Sequence, residues 1–423
     1  MAPSYSLNTI LSTCKNENKR AKSLWQNSLL LSVILVGSAL LIGITAIYFY
    51  PQLFFKYQFK EYASFILLIF SLNSFNYLFV NLYRTYGLLN KINIFELIVP
   101  LFQFIVLLVA IEKELLYFLL TGTSVANLIA LFIFIYKPPL KLGVRFEKKL
   151  FNELLVRGFH LLLFNVSFSL ILISSRTIVS IYYSAEELGY YTFAVTLSNA
   201  VFMIVGAFGF VIYPKLLNKI HTNNNDEVKQ LLENIRSMYV TGCYLLTYVG
   251  FFSILFLEYF MPSYMLAMPA FKILLLTQLI LNNTFGYSIL LVSKKREKLM
   301  AKYAIWVMVF IVLVSYVFVL LKFSFTMISI AVSIGFIFYC LKIISRAFKE
   351  INHKFDLTTV LLKVFPVYYF IPLLILVLAT VFNDNLFTPL ASLIVFVVLN
   401  KKRITDIRHK VLDLVNNKES LNF

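Results

Sequence analysis

Charge is what this 423-residue sequence has least of. Only 14% of its residues are Asp, Glu, Lys or Arg, against about a quarter in a soluble domain. A water-facing surface for so long a chain cannot be built from so few charges, which argues against a soluble multidomain enzyme. Acids are scarcer than bases: 20 Asp and Glu stand against 38 Lys and Arg, a formal net charge of +18. With four His besides, there is little material for acid–base catalysis. Cys14, Cys243 and Cys340 are far apart and form no CxxC, so neither a disulfide framework nor a zinc site is expected. Two of them fall in apolar runs, where a thiol behaves as a small hydrophobe. The sequence contains no GxxxxGK[ST], no HExxH and no GxSxG. No cofactor and no metal are expected.

What the chain has in quantity is apolar sequence, 60% hydrophobic and 17% aromatic. A helix needs about 20 mostly apolar residues to cross a bilayer. Twelve runs meet or approach that length, at 28–50, 62–83, 93–111, 115–136, 158–183, 189–213, 237–257, 271–292, 303–321, 324–344, 364–383 and 385–400. The many Tyr and Phe read as lipid-facing or interfacial residues. The first run follows a polar, Lys-rich segment and no small-residue cleavage site follows it, which argues against a removable signal peptide.

The basic residues orient the spans. Of the 38 Lys and Arg, 32 fall in segments on the same side as the two termini, and only Lys56, Lys60, Lys113, Lys272 and Lys322 on the other; Arg176 lies inside a span. That asymmetry predicts cytoplasmic termini and an even number of spans. It also argues against nucleic-acid binding, which gathers cations and aromatics on one folded face. The connections opposite the termini are too short for a catalytic domain, and those on the terminal side hold at most short amphipathic helices such as 227–237.

Polar residues inside the spans are the candidate functional groups, because an ionisable side chain there is costly and turns toward the bundle or a wet cavity. Arg176 shares a helical face with Asn165, Ser169 and Ser180, all within roughly 60° at 100° per residue. Two readings stand side by side. Arg176 offers its guanidinium fork to a phosphate in a cavity, or it snorkels to the nearby external surface. Glu96, Pro100 and Gln103 share a second face, and Thr192, Thr196, Asn199 and Gly206 a third. Gln278 with Asn282 and Asn73 with Asn76 are further pairs. Such groups either line a path or bond neighbouring helices together. Arg84 ends its span as an anchor or as a phosphate contact. Glu96 is the candidate for coupling to an ion, or a hydrated interfacial acid.

At the sixth span the residues become specific. Ser184-Ala185-Glu186-Glu187-Leu188-Gly189-Tyr190-Tyr191-Thr192-Phe193-Ala194, and then Val211-Ile212-Tyr213-Pro214-Lys215-Leu216, resemble the bacterial polysaccharide-flippase (Wzx) branch of the MOP exporter superfamily. The preceding Ser174-Ser175-Arg176 fits the same segment, although many relatives have Asp where this chain has Ser175.

The resemblance implies an all-α polytopic membrane protein of the bacterial inner membrane, with about 12 transmembrane helices in two lobes plus two C-terminal helices. The expected organisation is an N-terminal tail (1–27), a lobe of four helices (28–136), a basic linker (137–157) and a lobe of six helices (158–345). A cytoplasmic loop (346–363), two terminal helices (364–400) and a C-terminal tail (401–423) follow. Relatives usually have fourteen spans, so the first two helices are expected to be missing and the N-terminal lobe incomplete.

The implied activity is transport without catalysis: alternating access flips an undecaprenyl-diphosphate-linked oligosaccharide for O-antigen or capsule synthesis. Arg176, Asn165, Ser169, Asn199, Gln278 and Asn282 are the expected substrate contacts. The expected partners are that lipid-linked substrate, membrane lipids, a proton or sodium ion, and the polysaccharide polymerase machinery. The alternatives are a membrane-embedded polymerase or glycosyltransferase, and an efflux pump of the same superfamily.

Overall fold

The computed structural model describes residues 2–14, 17–49, 59–109, 114–222, 224–351, 357–382 and 387–405. It is built from helices, with no strand among the described residues. In chain order they are α1 (Ala2–Cys14), α2 (Asn18–Phe49), α3 (Phe59–Thr85), α4 (Leu89–Val109), α5 (Leu115–Ile135), α6 (Lys148–Tyr182), α7 (Ala185–Thr222) and α8 (Asn225–Phe260). A 3-10 turn, Pro262–Ala267, leads into α9 (Met268–Asn282) and α10 (Tyr287–Ser293). They are followed by α11 (Glu297–Leu320), α12 (Thr326–Glu350), α13 (Leu357–Val364), α14 (Val367–Phe382) and α15 (Phe387–Leu399). Among the described residues, ten helices are long and apolar enough to cross a membrane, eleven if the bent pair α13–α14 is one span, and Thr388–Leu399 is a shorter apolar helix. In water such helices would expose large apolar faces; in lipid, a helix satisfies its own backbone.

The chain divides into two compact units, 1–162 and 163–423. In the first, α5 packs against both α3 and α4, and α1 against α2 and α3. The segment 1–27, expected as a polar tail, is largely folded: α1 is buried, and α2 begins at Asn18, ten residues before the apolar run. Several of its hydroxyls are satisfied within the helix, Thr9 Oγ1 to the Tyr5 carbonyl at 2.9 Å and Ser12 Oγ to that of Asn8 at 2.6 Å. Self-bonded hydroxyls can be buried at small cost, so a polar sequence here became a packed helix.

In the second unit α12 lies at the centre, against α9, α10, α11 and α13. Gly335 makes the α11 contact possible, since a Cβ there would come within 2.4 Å of Ile311. Phe168 of α6 stacks on Phe336 of α12, their centroids 5.6 Å apart. The expected loop before the seventh span is nearly absent. Helix α7 runs on to Thr222, and α8 starts at an Asn224 cap whose side chain accepts from the Glu227 N–H at 2.9 Å. The amphipathic stretch 227–237 is the first part of α8, burying Val228, Leu231, Leu232 and Ile235.

Two expected spans are not straight. The run 271–292 is interrupted after Asn282, turns through residues 283–286 with Gly286 at φ +85°, and resumes as α10. Left-handed backbone at that position suits glycine. The second bend is 59°, between Thr358–Val364 and Val367–Val377. Pro366 sits at the junction, where it cannot donate to the α13 ladder. The remainder of the expected loop 346–363 includes 352–356, and the expected C-terminal tail includes 406–423; both stretches lie outside the described residues.

Candidate functional site

Amides, a tyrosine and a guanidinium in the second unit form the strongest candidate. Gln278 of α9 donates from Nε2 to Asn199 Oδ1 of α7 at 2.8 Å. One turn on, Asn282 donates from Nδ2 to the Gln278 carbonyl at 2.8 Å and accepts from the Tyr239 hydroxyl of α8, also at 2.8 Å. Three helices are thus joined by one continuous line of hydrogen bonds. Its Asn199 end is exposed, and Gln278 and Asn282 are half-buried. The i, i+4 spacing of Gln278 and Asn282 puts both amides on one face of α9, as the sequence implies. Tyr239 was not foreseen. It sits two residues inside the expected start of its span, where tyrosine reads as an interfacial anchor. In the structure its ring stacks on Phe285, centroids 3.8 Å apart.

The line ends at the interruption between α9 and α10, which is braced from α8. Arg236 is 5% exposed. It donates from Nη2 to the carbonyls of Asn283 (3.0 Å) and Lys363 (3.2 Å), and from Nη1 to the Tyr287 hydroxyl (3.0 Å). Its guanidinium carbon lies 4.3 Å from the Tyr287 ring centroid. Asn283 in turn donates from Nδ2 to the Val364 carbonyl at 2.7 Å. A broken membrane helix leaves backbone carbonyls without helical donors, and a buried arginine supplies several at once. In the sequence Arg236 reads only as one of the loop cations that orient the chain. The interruption itself carries a signal, Asn-Asn-Thr-Phe-Gly at 282–286, a turn-forming composition inside an apolar run.

Arg176 lies on α6, half-buried, in electrostatic range of the buried Tyr191 hydroxyl at the start of α7. Its Nε is buried and meets no acceptor among the described residues. Of its expected stripe, Asn165 is half-buried, while Ser169 and Ser180 are exposed. Ser169 Oγ bonds to the Asn165 carbonyl at 3.2 Å, a contact within the helix.

The candidates of the first unit behave differently. Glu96 and Pro100 are exposed on α4, whereas Gln103 donates from Nε2 to Thr123 Oγ1 of α5 at 3.2 Å. Asn76 is fully buried and donates from Nδ2 to the Asn127 carbonyl (3.0 Å) and Oδ1 (3.1 Å), bonding α3 to α5. Arg84 is half-buried in the last turn of α3, where a cation complements the helix dipole. Lys91 donates to the Tyr83 hydroxyl at 2.9 Å and to the carbonyls of Ile133 and Tyr136, capping the end of α5. Among the described residues no cluster of His, Cys, Asp or Glu could hold a metal ion.

Comparison with known proteins agrees with this architecture. A MATE transporter in the straight conformation superposes with a TM-score of 0.67 at 12% identity. A MOP superfamily transporter from Pyrococcus furiosus, described by a reversed polarity of its binding pocket, gives 0.64 at 13%. An outward-facing multidrug resistance MATE family transporter gives 0.61 at 14%. Each similarity covers 83% of this chain and 84% of the other. No curated protein matches the chain. The family described as "Polysaccharide biosynthesis protein" matches residues 6–256, more than half of the sequence. The chain belongs to this polysaccharide biosynthesis protein family, and its fold is that of the MATE-type transporters of the MOP superfamily.

Proposed function

We propose that the protein flips undecaprenyl-diphosphate-linked oligosaccharide units from the cytoplasmic to the periplasmic leaflet of a bacterial inner membrane, supplying O-antigen or capsule synthesis. The observation that carries this reading is a polysaccharide-biosynthesis sequence on a transporter fold. Both termini are cytoplasmic in this reading, following the basic segments.

The chemistry of the polar groups suits such a cargo. Sugar hydroxyls pair with amides that both donate and accept, as Asn199, Gln278 and Asn282 do, with Asn165 and Ser169 as further contacts on α6. The diphosphate takes Arg176, whose Nε has an unused donor. Arg84 is a secondary phosphate contact. Glu96 is the group that couples a proton or sodium ion, since its exposed carboxylate is reachable. The polyprenyl tail stays in lipid, and the polymerase machinery receives the product.

Deletion of the gene tests the assignment. The expected result is accumulation of complete lipid-linked units in the inner leaflet, reversed by the intact gene. Single units gathering at the outer leaflet would instead indicate a polymerase, and loss of resistance to cationic drugs with normal surface glycan an efflux pump.

A further inference from the structure

The second unit contains a cavity of about 530 Å³ that the transport reading does not use. Its lining includes Glu233 and Arg236 of α8, Lys363 of α13, Tyr368 and Tyr369 of α14, and Arg403 just beyond α15. Three cations therefore face one acid. Glu233 is engaged with Lys363, Nζ to Oε1 at 3.3 Å. Arg403 lies over aromatic rings, its guanidinium carbon 5.0 Å from the Tyr369 centroid and 5.6 Å from that of Tyr368. Among the described residues neither arginine has a carboxylate within ion-pair distance. The buried Arg236 bonds only neutral oxygens, and its Nε is buried with no acceptor. Among the described residues, two positive charges thus have no carboxylate within ion-pair distance in a partly enclosed space, an arrangement that favours the entry of an anion. Phosphate oxygens match guanidinium donors in number and geometry.

The surroundings decide which phosphate. The cavity lies at the bend between α13 and α14. Tyr368 is 60% exposed there, and Lys401 and Lys402 are exposed nearby in sequence to Arg403. Exposed tyrosine beside lysine marks headgroup depth. From the cavity wall an outward apolar strip runs along α14: Val367, Ile371 and Leu374, at i, i+4 and i+7, all exposed. A free phosphate has no use for such a strip, whereas acyl chains do. Basic pockets between membrane helices hold anionic headgroups elsewhere for the same reason.

We infer that this cavity binds the headgroup phosphate of an anionic membrane phospholipid, with its acyl chains along α14. The site includes the arginine that braces the α9–α10 interruption, so a bound lipid would tie α8, α13 and α15 together there. This inference does not depend on which cargo is carried.

Thermal unfolding of the full chain, purified and delipidated in neutral detergent, tests it by titration with phosphatidylglycerol, phosphatidylcholine and inorganic phosphate. Phosphatidylglycerol is expected to raise Tm at concentrations about tenfold below phosphatidylcholine. The double variant Lys363→Gln/Arg403→Gln should lose that preference, moving its half-saturation up about tenfold, while its lipid-free Tm stays near the parent value. Arg236 is left intact because it holds the fold. Should the double variant show no cooperative transition, Arg403→Gln alone makes the same comparison with an expected shift of about threefold. Equal response to the two lipids, or an unchanged preference in the variants, overturns the site. A full Tm shift from inorganic phosphate overturns the lipid assignment.

Discussion

The two units use the same polar residues to opposite ends. In the first, the amide of Asn76 is closed off against Asn127, Gln103 is bonded to Thr123, and Lys91 is spent on carbonyls at the end of α5. In the second, the amide line from Asn282 through Gln278 ends at an exposed Asn199, and Arg176 keeps a donor without an acceptor. Residue type inside a membrane span does not distinguish a helix-to-helix bond from a ligand contact. Exposure and the count of satisfied donors do. On that measure Asn76, Gln103 and Lys91 act as internal cement in the first unit, while Asn199 and Arg176 of the second keep capacity for a further contact.

Arg176→Ala is the substitution expected to have the largest effect. Surface glycan in a complementation assay should fall at least tenfold, the loss of one charge-assisted contact of about 1.5–3 kcal/mol. Tm should not change, and Arg176→Lys should recover part of the activity. Full glycan from the alanine variant would remove Arg176 from the site and leave the snorkelling reading.

Asn76→Ala should do the reverse. Deleting a buried amide that makes two bonds costs about 1–2 kcal/mol, seen as a lower Tm in detergent, with transport per folded molecule unchanged. A transport defect at normal Tm would show that the first unit also presents amides to the cargo. The smallest effect is expected from Asn199→Ala. Its amide is exposed, so Tm should stay constant while glycan output drops about two- to threefold, worth roughly 0.5 kcal/mol. A fall in Tm instead would turn the Asn199–Gln278 bond into cement and erase the contrast between the units.

Much of this was legible in the sequence. Apolar length located nearly every membrane helix, because a span must satisfy its own backbone and so advertises itself as an uninterrupted run. Helical spacing likewise put Gln278 and Asn282 on one face, and Asn199 proved to be the partner of Gln278. The misses share one cause: a residue was judged by its polarity and not by its bonding. Residues 1–27 precede the first apolar run and were expected as a tail, yet Thr9 and Ser12 bond to carbonyls of their own helix and are buried. Arg236 was counted among loop cations, although the carbonyls that surround it lie on segments far along the chain. The interruption at 283–286 was smoothed over because the flanking leucines and isoleucines outweigh Asn282, Asn283 and Thr284 in any average of hydropathy.

The Arg236 brace also imposes an order on biogenesis. Its acceptors are 47, 51 and 127 residues downstream. The arginine therefore leaves the ribosome on the order of 10 s before Lys363 does, at ordinary synthesis rates. Until then α8 carries an incompletely bonded cation. The pieces α9 and α10, 15 and 7 residues long, are each too short to cross a bilayer alone. The second unit thus closes only once α13 has been made, and a chain that ends anywhere in between leaves the brace at Arg236 incomplete.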